Sequence, residues 1–210
     1  MASQNSDLAP LQAIASAFSA GQLTLWEATE QALQALIDRV RCSRVSLWGF
    51  DLEGGFKALR CVAVKLANRP LVPDATVLYE DQYRDYFTGL IQNGVFVAND
   101  TRCHPSLVEM RGAFLDSHRI GALLDVAVTI NGRAYGIVCC EQIPGPRNWT
   151  ADDIAAARAA VSRAALLIAS EPSVKIEAIH SVRIEPLGGD GTSATDQRSD
   201  ERRDRRTRRS

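Results

Sequence analysis

The sequence predicts an α+β fold in which a central antiparallel sheet of about five to six strands is flanked by helices. Apolar residues recur at helical spacing in some segments and alternate in others. Read in order, these patterns give helix, two strands, helix, strand, helix, two strands, helix, which is not the strict alternation of a βαβ repeat. The clearest element is a hairpin at 120–142, where two β-rich runs flank Asn131-Gly132, a dipeptide that favours a type I′ turn.

The composition excludes several classes of function. The 210 residues contain 24 Lys and Arg against 25 Asp and Glu, so the overall charge gives no reason to expect binding to nucleic acid or to an anionic membrane. No apolar run is long enough to span a bilayer, and the first residues do not resemble a signal peptide. Five cysteines without a CxxC spacing are typical of reduced thiols. We therefore expect a cytoplasmic protein without a metal centre.

Four segments differ in composition. Residues 1–23 predict an N-terminal helical extension, and residues 24–170 form the main domain. Residues 171–187 alternate enough to add a short strand. Residues 188–210 lack apolar anchors and predict a disordered, Arg-rich tail. Acidic residues dilute the charge of this tail, which favours a solubilising role over contact with nucleic acid or an acidic partner.

The first half of the main domain begins with a helix and continues with a strand pair. Thr24 and Glu27 have the spacing of a capping box, which opens a helix whose apolar stripe runs from Trp26 to Val40. A strand at 44–51 and an antiparallel partner at 56–66 follow, separated by a Gly-rich turn.

The second half alternates helices with strands. The apolar spacing predicts helices at 79–93 and 106–117 and a short strand at 95–98, with Gly94 as the left-handed cap of the first helix. Thr150 can cap a last helix that runs to about residue 170. We expect the first and last long helices to pack together on one face of the sheet.

Two carboxylates interrupt the apolar strands of the hairpin. Burying Asp125 or Glu141 without a partner costs several kcal/mol or raises the pKa of the carboxyl. Either each lies near a strand end or meets an Arg or a backbone N–H, or both face a polar ligand cavity. Ideal two-residue pairing places Leu124 opposite Cys139 and puts the two carboxylates on opposite faces, unless a bulge shifts the register.

Several segments in this order together resemble the GAF domain, particularly the bacterial subgroup of sensor histidine kinases and cyclase-type signalling proteins. They are SRVSLWGFD, the helix from Tyr83 to Phe87, VFVAND, LLDVAVTINGRAYGIVCCEQ and GPRNWTADD. The resemblance covers about residues 24–170. It implies a small-molecule or chromophore pocket between one sheet face and the segment from the middle helix to the hairpin. It also implies frequent dimerisation through the terminal helices.

Similarity to phytochrome-like members, anchored on Gly132 and Gly136, implies positions for the pocket residues. The residues implied to bind ligand are Asp100, Arg111, Phe114, Asp125 and Glu141. Tyr83 and Tyr86 are either core residues or part of the cavity lining. Because acidic groups would repel ligand propionates, this set favours a ligand with hydrogen-bond donors or positive charge, or Arg111 as an internal partner.

Other known chemistries of the family fit the sequence less well. Cyclic nucleotides are disfavoured because the Asn-Lys dipeptide of their binding signature does not occur. Cys103-His104 resembles a bilin attachment pair but follows Asp100 too closely, which favours a loop cysteine beside a solvated histidine. Thiol redox chemistry is disfavoured because Cys139 and Cys140 point to opposite sheet faces.

These arguments predict a non-catalytic sensory or regulatory domain that binds an unidentified small molecule, with an unidentified cofactor if any. We expect a homodimer that signals through its own geometry or through a downstream signalling protein. The alternative is a ligand-free GAF-fold scaffold for dimerisation or protein interaction. A filled or collapsed cavity would distinguish the two.

Overall fold

The structure is a computed structural model that describes residues 9–51, 58–170 and 182–183. Its helices are α1 (Ala9–Ser19), α2 (Leu25–Val40), α3 (Arg84–Asn93) and α4 (Ala151–Ser170). Its strands are β1 (Arg44–Asp51), β2 (Ala58–Leu66), β3 (Val72–Pro73), β4 (Val77–Tyr79), β5 (Val95–Ala98), β6 (Ala122–Ile130), β7 (Arg133–Gln142) and β8 (Val182–Arg183). The tail predicted at 188–210 lies outside the described residues.

All the strand pairings are antiparallel and join one sheet in the order β3-β2-β1-β7-β6-β5. The short strand β4 pairs with β2 beyond the end of β3, and β8 pairs with the hairpin end of β7. The predicted α+β class is therefore confirmed. Val182–Arg183 forms the additional strand that the alternation in residues 171–187 allowed.

The back face of the sheet is the one covered by α2 and α4. Both helices contribute to a buried apolar cluster with alternate residues of β6 and β7, among them Leu36, Val161, Leu124 and Cys140. Arg39 of α2 also pairs with Asp152 of α4, with the guanidinium and carboxylate atoms 3.1 Å apart. The predicted packing of the first and last long helices on one face is confirmed. Among the described residues, no helix is both long and apolar enough to cross a membrane.

Side chains cap the N-terminal ends of both long helices, as predicted. The Glu27 N–H donates to the Thr24 hydroxyl at 3.2 Å, and the Glu27 carboxylate accepts from the Thr24 N–H at 2.8 Å. Thr150 and Asp153 make the same reciprocal pair at the start of α4. These bonds satisfy backbone donors that a helix cannot pair internally. Trp26 differs from the prediction, since it is 41% exposed and does not join the buried stripe of α2.

Arg147 joins the end of α2 to the start of α4. Its guanidinium donates to the carbonyls of Val40 and Arg41, at 2.6 and 2.7 Å, and pairs with Asp153 at 3.2 Å. The last carbonyls of a helix have no partner inside the helix, and a cation placed there also complements the helix dipole. A loop residue thus fixes two helices that are more than a hundred residues apart in the chain.

The middle of the chain differs from the sequence prediction in two places. The helix predicted at 79–93 begins at Arg84, since Tyr79 ends β4 and pairs with Ala58 of β2, and a turn occupies residues 80–83. The helix predicted at 106–117 is divided into a 3₁₀ turn at Pro105–Leu107 and a π-helical turn at Arg111–Leu115. Apolar spacing does not distinguish these turns from an α-helix. The residues that the predicted helix at 106–117 was expected to turn inward are all buried, namely Leu107, Met110, Phe114 and Leu115.

The β6–β7 hairpin contains a bulge that decides which residues share a face. Asn131 and Gly132 have φ angles of 50° and 74°, which confirms the predicted turn. Thr129 pairs with Ala134, but Val128 pairs with Gly136, so Tyr135 is an extra residue.

Beyond this bulge, Asp125 lies opposite Cys139 and Leu123 lies opposite Glu141. Asp125 and Glu141 therefore lie on the same face, opposite to the back face. Ideal two-residue pairing predicted that the two carboxylates lie on opposite faces, and this prediction is wrong. The alternative, a bulge that shifts the register, is confirmed.

Gly136 should be intolerant of a side chain, because a Cβ placed there would lie 2.0 Å from the backbone oxygen of Trp48. We expect Gly136→Ala to lower the free energy of unfolding by about 1 to 3 kcal/mol, the usual range for overpacking a core. Gly49, its partner across β1 and β7, is the matched control, since a Cβ there meets nothing within 4 Å. Urea denaturation measures both variants, and equal stabilities would contradict the close approach.

Candidate functional site

The front face of the sheet carries the carboxylates and is covered by α3 and the segment that links β5 to β6. Aromatic rings fill much of this layer. Tyr86 packs edge-on against Phe96 with ring centroids 5.0 Å apart, and Phe114 packs edge-on against Trp48 at 5.7 Å. All four rings are buried. The polar groups below these rings are therefore removed from water.

Glu141 has a complete set of internal partners. It forms an ion pair with Arg44, the residue directly opposite on β1, and both side chains are almost fully buried. Its other oxygen accepts a hydrogen bond from the Ser46 hydroxyl at 2.7 Å. The Ser46 hydroxyl in turn accepts from the Trp48 indole N–H at 2.8 Å. Burial raises the pKa of Glu141, while Arg44 and Ser46 act in the opposite direction.

The sequence alternative in which a buried carboxylate meets an arginine is thus confirmed for Glu141. The arginine is Arg44, and the expectation that Arg111 would be the internal partner is wrong for this carboxylate. Arg44 comes from β1, so only the long-range pairing of β1 with β7 brings the two charges together.

No cation among the described residues lies beside Asp125. Its side chain is 1% exposed, and one oxygen accepts a hydrogen bond from the Tyr86 hydroxyl at 2.8 Å. The other oxygen, Oδ1, has no hydrogen-bond partner. Burial raises the pKa of Asp125 to about 7, although the neighbouring Cys139 thiol and the hydrogen bond from Tyr86 act in the opposite direction. Asp125 consequently titrates near neutral pH.

Two further buried polar atoms without partners belong to the segment that covers Asp125. They are Nδ1 of His104 and Nε of Arg111. The His104 ring lies 4.8 Å from the ring of Phe96, which is directly opposite Asp125 on β5. Arg111 donates to the His104 carbonyl at 3.4 Å. We call Asp125, Tyr86, Phe96, His104 and Arg111 the front cluster.

Burial lowers the pKa of His104, so its imidazole is mainly neutral at pH 7. Within the front cluster the guanidinium of Arg111 is therefore the permanent charge, while Asp125 changes charge near pH 7. The cluster offers an acceptor or donor at Asp125 Oδ1, a donor at Arg111 Nε, and either role at His104 Nδ1.

The structure places the remaining predicted site residues outside the front cluster. Asp100 lies in the loop after β5 and accepts two bonds from the guanidinium of Arg102, each 3.1 Å long, which lower its pKa. Phe114 packs against Trp48. Tyr83 is the N-cap residue of α3 and is 9% exposed. Of the predicted set, the front cluster thus contains Tyr86, Arg111 and Asp125.

Sequence reasoning missed Arg44, Ser46 and His104. A signal for the first two was present, because Arg44, Ser46 and Trp48 alternate along β1 and must therefore share one face. His104 was expected to be solvated, whereas its Nδ1 atom is buried. The loop position of Cys103 and the opposite orientation of Cys139 and Cys140 are as predicted.

The raised pKa of Asp125 should make stability depend on pH in an unusual direction. The folded protein holds this proton up to about pH 7, while the unfolded chain releases it near 3.8. Stability is therefore lost as the pH rises from about 4 to 7, and the difference corresponds to at most about 4 kcal/mol. Asp125→Asn should remove this loss, so that the variant gains stability relative to the wild type between pH 4 and 8.

Urea denaturation at pH 4 and at pH 8 measures the stability of Asp125→Asn relative to the wild type. Asp100→Asn is the control. The pKa of Asp100 is lowered, so the stability from its contact with Arg102 is lost as the pH falls. The control therefore changes in the opposite direction. An Asp125→Asn variant whose stability relative to the wild type is the same at pH 4 and pH 8 would contradict the assignment.

Comparison with known proteins gives one family and a set of structural neighbours. The GAF domain family matches residues 25–168. No curated protein sequence matches significantly. One similar structure is the chromophore-binding domain of Stigmatella aurantiaca bacteriophytochrome, with a TM-score of 0.57 and 15% identity. The match covers 79% of this chain and 60% of that one, so this chain corresponds to only part of that protein.

Two more neighbours match over most of their own length. The far-red absorbing dark state of JSC1_58120g3, with bound biliverdin IXa, gives a TM-score of 0.57 at 17% identity over 76% of this chain and 97% of that one. The blue-light absorbing form of the Thermosynechococcus elongatus PixJ GAF domain gives 0.51 at 20% identity, over 74% and 85%. At these identities the structures establish the fold alone. Together with the family match, they show that this chain belongs to the GAF domain family.

Proposed function

We propose that this chain is a sensory or regulatory GAF domain that binds a small molecule reversibly at the front cluster and catalyses no reaction. The observation that carries the proposal is Oδ1 of Asp125, a buried acceptor without a partner. Leaving such a group unsatisfied costs about 1 to 3 kcal/mol. A ligand that donates a hydrogen bond to Asp125 would remove this cost.

The other atoms of the front cluster restrict the ligand further. Nε of Arg111 requires an acceptor or an anionic group, and the rings of Phe96 and His104 favour a planar body. The ligand should therefore carry at least one N–H or O–H donor and one acceptor on a flat, partly apolar framework. Biliverdin IXa, bound in one structural neighbour, has that general character, which supports the proposal for this fold without naming the ligand here.

The competing function is a ligand-free scaffold, and one observation favours it. Phe114 is 6% exposed and packs against Trp48, which closes the front face above the Glu141 ion pair. A scaffold would fill the whole front layer with side chains in this way. The scaffold alternative does not explain why Oδ1 of Asp125, Nδ1 of His104 and Nε of Arg111 lack hydrogen-bond partners.

Native mass spectrometry of the protein purified from its own source tests the proposal. We expect a non-covalent ligand on the wild type and a 5- to 150-fold weaker association in Asp125→Ala, which corresponds to about 1 to 3 kcal/mol for a lost buried polar contact. Asp100→Ala is the matched control, because that carboxylate binds Arg102 outside the cluster. Absence of any ligand on the wild type, or equal occupancy in both variants, would favour the scaffold.

Glu141→Ala is not a suitable probe of binding. It would leave the buried guanidinium of Arg44 without a counter-charge, which usually costs about 3 to 5 kcal/mol of stability. A loss of ligand in that variant would report unfolding as readily as a lost contact.

We also propose that a cytoplasmic homodimer transmits the signal, either directly or to a downstream signalling protein. Leu25 and Trp26 support a contact at the start of α2, since they are 55% and 41% exposed. Val161, in contrast, is only 3% exposed and lies in the back-face core, so a substitution there cannot test the dimer contact.

Light scattering at tens of micromolar should show a dimer for the wild type and a monomer for the variant that combines Leu25→Glu with Trp26→Glu. Two charges at a shared apolar contact would be desolvated without partners. Gln31→Glu, at an exposed position of the same helix, should remain dimeric. A monomeric wild type, or a dimer that survives the double substitution, would refute this interface.

A further inference from the structure

The back-face core contains two neighbouring thiols that come from distant parts of the chain. Cys42 directly follows the C-cap residue of α2, and Cys140 lies in β7. Both thiols are free and buried, and both belong to the apolar cluster between the sheet and the helices α2 and α4. Cys139 points to the opposite face, as predicted, but the fold brings a different thiol, that of Cys42, to Cys140.

A backbone hydrogen bond at the start of β1 explains why the two cysteines are neighbours. The Ser43 N–H donates to the Glu141 carbonyl at 3.1 Å, and Cys42 and Cys140 are the residues that directly precede this bonded pair. Cys140 is held within the sheet, opposite Val45 of β1. Cys42 belongs to neither α2 nor β1. A disulfide requires the two sulfurs to approach to about 2 Å, and Cys42, which lies outside the sheet, is the residue that can move.

The two thiols differ in exposure and in charge environment. Cys42 is 5% exposed and Cys140 is 0% exposed, so a small oxidant reaches Cys42 first. The Cys140 thiol lowers the pKa of Cys42, and the positive charge of Arg147 acts in the same direction, although burial opposes both. Arg147 is fixed close by, because it donates to the carbonyl of Arg41 at 2.7 Å. Since the thiolate is the nucleophilic form of cysteine, Cys42 is the attacking thiol of the pair.

We propose that Cys42 and Cys140 form a redox modification site, which a hydroperoxide such as hydrogen peroxide converts into an intramolecular disulfide. The Cys42 thiolate attacks one peroxide oxygen, the O–O bond breaks, and the hydroxide that leaves takes up the proton that Cys42 released. Cys42 is then a sulfenic acid. The Cys140 sulfur attacks the Cys42 sulfur, the S–O bond breaks, and the hydroxyl leaves as water with the Cys140 proton.

Overall, two thiols lose two electrons and one hydrogen peroxide is reduced to two water molecules. The bond would tie the end of α2 to the middle of the sheet, beside the carbonyls of Val40 and Arg41 that Arg147 already holds. The site shares no residue with the front cluster, so it does not depend on the function proposed there.

Treatment of the folded full chain with excess hydrogen peroxide tests the site. The Cys103→Ser variant is used throughout, because Cys103 is exposed and would react on its own. After the remaining thiols are blocked with N-ethylmaleimide, intact mass should show a loss of about 2 Da relative to the untreated monomer, for the two hydrogens removed. Peptide mapping should find one disulfide, between Cys42 and Cys140, that dithiothreitol reduces. Thiols that stay reduced, or a disulfide that involves Cys61 or Cys139, would overturn the proposal.

Single substitutions in the same background assign the two roles. With Cys140→Ser, the sulfenic acid should remain on Cys42, where dimedone labels it, and no disulfide should form. With Cys42→Ser, neither a disulfide nor a dimedone label should appear on Cys140.

Cys61→Ser is the matched control, since Cys61 is 6% exposed and burial raises its pKa to about 12. This variant should form the Cys42–Cys140 disulfide as the parent does. A dimedone label on Cys140 in place of Cys42, or loss of the disulfide in a folded Cys61→Ser variant, would contradict the assignment.

Discussion

A single extra residue in β7 determines the chemistry of the front face. Tyr135 is inserted between the pair Thr129–Ala134 and the pair Val128–Gly136, and every residue of β7 beyond it is shifted by one position relative to β6. Because side chains alternate along a strand, this shift decides which set of residues is buried on each side. It places Asp125, Cys139 and Glu141 in one layer and leaves Val126, Val138 and Cys140 for the back-face core.

The two carboxylates in that layer are accommodated by different means. Glu141 is paired with Arg44 and bonded to Ser46, so its charge is compensated within the protein. Among the described residues, the neutral hydroxyl of Tyr86 is the donor to Asp125, and Asp125 holds its proton up to about pH 7. Removing a partner from Glu141 would damage the fold, whereas one oxygen of Asp125 lacks a partner already. Of the two, Asp125 is therefore the group available to a ligand.

The local features of this fold and the packing of its long helices could be predicted from the sequence, whereas the alignment of distant strands could not. Two helix starts were predicted from Thr24 and Thr150, and a turn from Asn131-Gly132, because capping and turn formation involve residues close in sequence. The bulge at Tyr135 and the pairing of Arg44 with Glu141 depend on how distant strands align, which no short motif encodes. Asp100 was predicted for the site through the similarity to phytochrome-like members, but the guanidinium of Arg102, two residues away, binds its carboxylate.

The register of the hairpin is the central claim, and cross-strand nuclear Overhauser effects measure it directly. With the bulge, backbone contacts should join Asp125 to Cys139 and Leu123 to Glu141 across β6 and β7. Contacts from Leu124 to Cys139 instead would show ideal two-residue pairing. In that case Asp125 and Glu141 would lie on opposite faces, and no single layer would hold both carboxylates.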